Sequence, residues 1–170
     1  MDILNYPDKS LKTVCKRVTR EDLTKVGVDV QALIEVMLLN KYHNEKVGEI
    51  KGVGAAANQI GSDLQVFIMS PESDLNKVDV FINPFIARHG KMILDAPEMC
   101  LSCPGLVKLI PRWKIIEVGY MTEQWEPVDR KFNANEARIF QHELDHLRGI
   151  VCMYKEGQPK CDCEGCEICN

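Results

Sequence analysis

A chain of 170 residues, 45% hydrophobic and 27% charged, is long enough for one domain with a sizeable core and has the balance of an ordinary globular protein. Its net charge of −4, with no run of Lys and Arg, offers no nucleic-acid groove or membrane patch, and no apolar run approaches the ~18 residues of a membrane span. Residues 1–7 lack both the basic and the apolar region of a signal peptide, so the expected compartment is the cytoplasm and the eight cysteines are not read as a disulfide framework.

In chain order, residues 3–11 form a short apolar opening broken by Pro7. Thr19, Glu21 and Asp22 mark a helix start, and Val30, Leu33, Ile34, Met37 and Leu38 recur at helical spacing, predicting an N-terminal helix to about residue 42. His43 then falls in a solvated loop. The segment Gly52-Val53-Gly54-Ala55-Ala56-Ala57-Asn58-Gln59 leaves the backbone bare enough for close approach of a ligand or another segment, and Gln59 is its polar side chain able both to donate and to accept. Tight packing alone is the plainer explanation.

Residues 64–69 and 78–82 read as strands with Asn83-Pro84 as a break, and His89 reads as a surface turn residue. Pro97 and Pro104 bracket an extended or irregular piece that carries Glu98, Met99, Cys100, Leu101 and Cys103. Either cysteine is a candidate soft ligand for zinc or ferrous iron; both are equally read as small buried hydrophobes. Further strands are predicted over 113–120 and 125–132, and residues 150–154 close the core.

Between them lies the segment with the clearest chemistry. Asn133 as N-cap, Glu136 as its capping-box partner, the apolar positions Ala137, Ile139, Phe140, Leu144 and Leu147, and Gly149 as terminator together predict a helix. His142 and His146, four apart, then share one face and can grip one metal ion, with Glu143 able to reach a water on it. A solvated polar face is the alternative. Two imidazoles are one ligand short of a catalytic site with three protein ligands and a water. Asp145 either orients a ligand or faces solvent. The predicted fold is α+β: antiparallel or mixed sheets packed around the helix carrying the two histidines, with a second, N-terminal helix. Residues 1–154 form the domain, and residues 155–170, with Cys161, Cys163, Cys166 and Cys169, form an acidic cysteine-rich tail read as reduced or metal-scavenging rather than as a built cluster.

Three segments in order, the glycine-alanine segment ending at Gln59, Glu98-Met99-Cys100-Leu101-Ser102 and Gln141-His142-Glu143-Leu144-Asp145-His146, resemble the three motifs of peptide deformylases. The resemblance implies removal of the formyl group from N-formylmethionine on nascent chains, with the ribosome as an associated partner. It implies that Cys100, His142 and His146 bind one divalent metal, usually Fe2+ with Zn2+ or Ni2+ as substitutes, and that Glu143 is the acid/base. Gln59 and the backbone N–H of Leu101 would stabilise the formyl oxygen, and Val53, Gly54, Glu98, Met99, Arg138 and Ile139 would form the peptide cleft. Met99 stands where the resemblance implies glycine; it either strains the backbone or narrows the cleft. Arg138 stands where it implies an aliphatic wall of the methionine pocket, so it is expected to alter that pocket or to turn to solvent at its rim. The competing readings are another metallohydrolase built on the same helix, such as a peptidase, and a non-catalytic metal- or thiol-binding protein.

Overall fold

The structure, a computed structural model, describes residues 2–44, 53–70 and 77–151. The cysteine-rich tail and the end of the expected closing strand lie outside them. Seven strands and two long helices are arranged in the order α1 (Leu23–Asn44), β1 (Val53–Ala56), β2 (Val66–Ser70), β3 (Asp79–His89), β4 (Ile93–Met99), β5 (Val107–Trp113), β6 (Ile115–Met121), β7 (Pro127–Asn133) and α2 (Ala134–Leu147). Five strands form an antiparallel sheet ordered β1-β2-β3-β6-β7, and β4 with β5 forms a separate antiparallel hairpin.

Strand alternation explains why the sheet takes a helix on each face. On β2, Phe67 and Met69 point into an aromatic core with Phe81, Phe132 and Phe140 of α2, whereas Val66 and Ile68 point into a second core with Val26, Val30, Leu33 and Met37 of α1. Phe140 meets Phe67 and Phe81 edge-on, with ring centroids 5.1 and 5.4 Å apart. β1 follows the same rule: Ala56 faces the α2 side and Ala55 the α1 side.

Several sequence expectations shift in detail. The N-terminal helix is preceded by a 3-10 turn in which the Thr19 N–H and hydroxyl both donate to Asp22, at 2.8 and 2.9 Å, and it runs to Asn44, so His43 lies within the helix. Val53–Ala56 is an edge strand rather than a loop, and a 3-10 turn, Ala57–Ile60, follows it. Asn83-Pro84 does not end its strand. Asn83 sits at φ 51°, its side chain accepts from Val18 N and donates to Val18 O at 2.8 and 2.9 Å, and β3 continues after a register shift. The hairpin tolerates Pro97 and Pro111 because a two-stranded sheet leaves outer edges that need no N–H. Asn133 occupies the N-cap of α2 but makes no side-chain cap bond, and Glu136 lies 3.7 Å from Arg130 instead of closing a capping box. His89, half-buried at the end of β3, stacks on Trp113 with ring centroids 3.8 Å apart.

The far end of α2 stops as expected. Gly149 has φ 70°, and a Cβ there would come within 2.4 Å of the Lys12 carbonyl, so the stop also lets the N-terminal segment cross close by.

Candidate metal centre

Helix α2 presents His142 and His146 one turn apart on a single face, with ring centroids 5.1 Å from each other. Cys100, which directly follows β4, comes to them from the hairpin: its Sγ lies 3.2 Å from His146 Nε2. The ligand atoms of Cys100, His142 and His146 all fall within 4.8 Å of one another, and all three residues are buried. A tetrahedral ion with bonds of ~2.0–2.3 Å holds its ligand atoms roughly 3.3–3.8 Å apart, so this set fits a metal without rearrangement of the backbone. The donor chemistry agrees. A hydrogen bond from Cys103 and the neighbouring imidazoles pull the Cys100 thiol well below its ordinary value, against its burial, which favours the thiolate a metal requires. Cys103 itself is a second buried thiol that supports Cys100 and stands outside the three-residue cluster.

The ring of His142 is fixed from behind. Its Nδ1 lies 2.9 Å from Glu98 Oε2, which leaves Nε2 to face the other ligands. Glu98 is gripped by Arg112, whose Nε and Nη2 reach its two oxygens at 2.9 and 3.0 Å, and Arg112 Nη1 also donates to Asp145. Arg112 is 1% exposed and Asp145 3%, so Asp145 is turned inward, and Arg112 links it to Glu98 and through that carboxylate to His142. Despite its burial, the Glu98 carboxyl is held far below the usual carboxylate range by the His142 and Arg112 hydrogen bonds.

Glu143 occupies the opposite situation. It is 3% exposed, its Oε2 has no hydrogen-bond partner, and burial pushes its carboxyl up to about 7. Its side chain lies against β1: a Cβ on Gly54 would sit 2.5 Å from Glu143 Oε1 and 2.8 Å from its Cγ and Cδ. The bare segment therefore makes room for an acid at the metal face. A buried, unpartnered acid beside three potential ligands is costly in a merely structural site and suits a proton carrier.

Gln59, 1% exposed, accepts from Ala56 N at 2.9 Å and directs its Nε2 to Ser102 Oγ at 3.0 Å and toward Cys100 Sγ at 3.9 Å. Its amide N–H groups therefore sit at the rim of the ligand cluster. Leu101, half-buried, follows Cys100 and packs on the second core. Met99 pairs with Val107 at the end of the hairpin, and it is not among the residues with positive φ, so it carries no such backbone strain. Val53 begins β1 half-buried, and Ile139 packs against the aromatic core. The guanidinium of Arg138 is turned inward to the hairpin rather than to solvent. It donates to Glu98 Oε1 at 2.7 Å, Ile110 O at 2.8 Å and Leu94 O at 2.6 Å.

Four contributors were not singled out from sequence. Arg112 carries both carboxylates; Ser102 orients Gln59; Asn58 donates to the His146 carbonyl at 2.6 Å; and the amide of Gln141 both donates to Trp113 O and accepts from Trp113 N, stitching α2 to β5. Arg112 left a signal, a cation within the otherwise apolar residues 109–113, whereas Gln141 stands among the polar residues of its helix and left none.

Comparison with known proteins agrees with this site. A family model for polypeptide deformylase matches residues 1–160. A peptide deformylase of Aquifex aeolicus is 38% identical over 153 residues, covering 88% of this chain and 83% of that protein. A peptide deformylase of Neisseria meningitidis is 34% identical over 161 residues, covering 94% and 89%. The crystal structure of peptide deformylase from Thermotoga maritima superposes with a TM-score of 0.75 at 33% identity, covering 91% of this chain and 96% of that one.

Proposed function

The chain belongs to the peptide deformylase family and is a hydrolase that removes the N-formyl group from nascent peptides, and from that premise we propose which of its residues do the work. Cys100, His142 and His146 hold the single catalytic metal. Fe2+ is the ion we assign, since one thiolate with two imidazoles suits ferrous iron, and zinc or nickel can take its place. Bound there, the ion would supply Lewis-acid chemistry and make a water more acidic.

The chain's own groups handle the proton and the charge. Glu143 takes the proton of the attacking water and delivers it to the departing amine; burial raises its carboxyl above the ordinary value, which makes it a stronger base for the first transfer. Gln59 Nε2 and the backbone N–H of Leu101 donate to the formyl oxygen as negative charge gathers there. Both donors are held in advance: Gln59 by Ala56 N and Ser102 Oγ, Leu101 by its place in the turn closed by Cys103 N donating to Cys100 O at 2.9 Å. Val53, Gly54 and Met99 border the peptide. Bacterial cytoplasm, where formylated chains are made, is the assigned compartment, and the emerging chain at the ribosome is the assigned encounter. Among the described residues no helix is long and apolar enough to cross a membrane.

The observation that carries the assignment is the unpartnered, buried carboxylate of Glu143 beside three assembled ligand atoms. The test is formate release from a formyl-Met tripeptide by the iron- or zinc-loaded protein, with Glu143→Ala as the paired variant. The expected result is a loss of at least ~10²-fold in kcat with unchanged metal stoichiometry. Full turnover by Glu143→Ala would remove the proton role, and metal binding without turnover in the parent would leave only the binding-protein reading.

A further inference from the structure

The acceptor sites of Glu98 are completely used. Oε1 accepts from Arg112 Nε at 2.9 Å and from Arg138 Nη1 at 2.7 Å; Oε2 accepts from Arg112 Nη2 at 3.0 Å and meets His142 Nδ1 at 2.9 Å. A carboxylate has about four lone-pair positions, so each partner excludes rotation into the place of another. The charges are matched as well. Arg112 is shared between two buried carboxylates, Glu98 and Asp145, and Arg138 brings a second cation to Glu98. Burial makes that match consequential: Glu98 is 5% and Arg138 13% exposed at the side chain.

Arg138 is also placed to transmit position. It projects from α2, the element carrying both histidines, and its other acceptors are Leu94 O and, more distantly, Ala96 O on β4 and Ile110 O on β5. The hairpin it holds leads straight into Cys100. One guanidinium thus spans the two elements whose meeting creates the ligand cluster, and it does so while pinning the carboxylate that sets the ring of His142.

We propose that Arg138 is a positioning residue of the metal centre, acting through Glu98 to hold His142 in its ligating orientation. This rests on the ligand set assigned above. Without Arg138, Glu98 keeps Arg112 but gains a free acceptor position on Oε1, and its carboxylate can swing between Arg112 and His142. The ring of His142 then samples orientations that do not ligate.

The test measures zinc affinity by chelator competition, together with the visible absorption of the cobalt(II)-loaded protein. The chains compared are the parent, Arg138→Met, Glu98→Gln, the double variant and His142→Ala. Arg138→Met is expected to bind zinc roughly 10–100-fold more weakly and to shift the cobalt bands. The double variant is expected to fall within about threefold of Glu98→Gln alone, because Arg138 acts through that carboxylate. Zinc affinity of Arg138→Met within twofold of the parent would overturn the proposal, and so would losses that simply add. In either case His142→Ala should still lose zinc; if it binds as the parent does, the ligand set itself fails and this proposal with it. Should Arg138→Met not fold, Arg138→Lys carries the same comparison. It keeps the charge but not the fork, and is expected to lose affinity by more than twofold and to show the same non-additivity with Glu98→Gln.

Discussion

Substituting Gly54 by alanine isolates the role of a bare backbone next to an acid. The added methyl would sit 2.8 Å from Glu143 Cγ and Cδ and 2.5 Å from its Oε1, about 0.7 Å or more inside the ~3.5 Å at which carbon atoms make ordinary contact. Gly54 lies in β1, paired to Met69 of β2, and Glu143 sits in the middle of α2, so neither backbone has slack and the side chain must give way. A displacement approaching 1 Å at a group that transfers a proton costs on the order of 100-fold in rate, or about 2.7 kcal/mol of transition-state stabilisation. The three atoms nearest the new methyl all belong to Glu143 and none to a metal ligand, so metal content should not change. The assay is formate release with kcat and KM determined separately, beside metal analysis and a denaturation curve. We expect kcat and kcat/KM to fall together by about 100-fold in a folded, metal-loaded protein. The decisive control is the double variant Gly54→Ala/Glu143→Ala, which should be no slower than Glu143→Ala. A kcat within threefold of the parent for Gly54→Ala, or a further large loss in the double variant, would refute the contact as the cause.

Two further outcomes follow from buried charge and from a buried thiol. Arg112→Met removes the guanidinium that Glu98 and Asp145 share; breaking a buried pair from one side costs about 3–5 kcal/mol. For a domain of this size that corresponds to a fall in Tm of roughly 10 °C, readable by thermal denaturation, and a fall below 3 °C would show that Arg112 is not the support described. Cys15, 2% exposed, has its thiol pushed up to about 12, first by burial and then by the charge of Asp63. The folded chain therefore keeps a proton that the unfolded chain releases above pH ~9. That contribution is fully present below pH 9 and is lost as pH rises through 12. Urea midpoints at pH 7.5, 9 and 10.5 should drop more steeply for the parent than for Cys15→Ala; parallel slopes would remove the burial argument.

How far the sequence could be read depended on whether partners lie close along it. Helix α2 was legible because its pattern is local: apolar positions at helical spacing, two histidines four apart and a glycine just past the end. The hairpin was not. On β5 the exposed residues are Val107 and Leu109, 49% and 65% open, while Arg112 on the alternate face is 1% exposed. A reading that turns apolar side chains inward assigns those faces backwards, because the positive charge is matched by carboxylates from β4 and α2, fourteen and thirty-three residues away. The same distance hid the engagement of Arg138, whose acceptors all lie on β4 and β5. Asn83-Pro84 looked like a stop because both residues favour turns; the backbone bonds Asn83 makes with Val18, sixty-five positions earlier, carry the strand onward. Cys100 was one of two local candidates; the motif resemblance, not the local residues, chose it, and Cys103 stands outside the cluster.

The opening segment of the chain has a consequence for when this enzyme can begin to work. Leu4 N donates to Gln59 O, Tyr6 N to Ser102 O and Cys15 N to Leu147 O, while Asn58 reaches the carbonyl of His146 and, more distantly, that of Leu11. Residues from the first sixteen positions are thus tied to all three segments that carry the chemistry, and the last of those segments is synthesised some 130 positions later. Such connections have large loop-closure costs and form late. No half-made chain holds a working centre, and metal capture is coupled to the final closure of the fold.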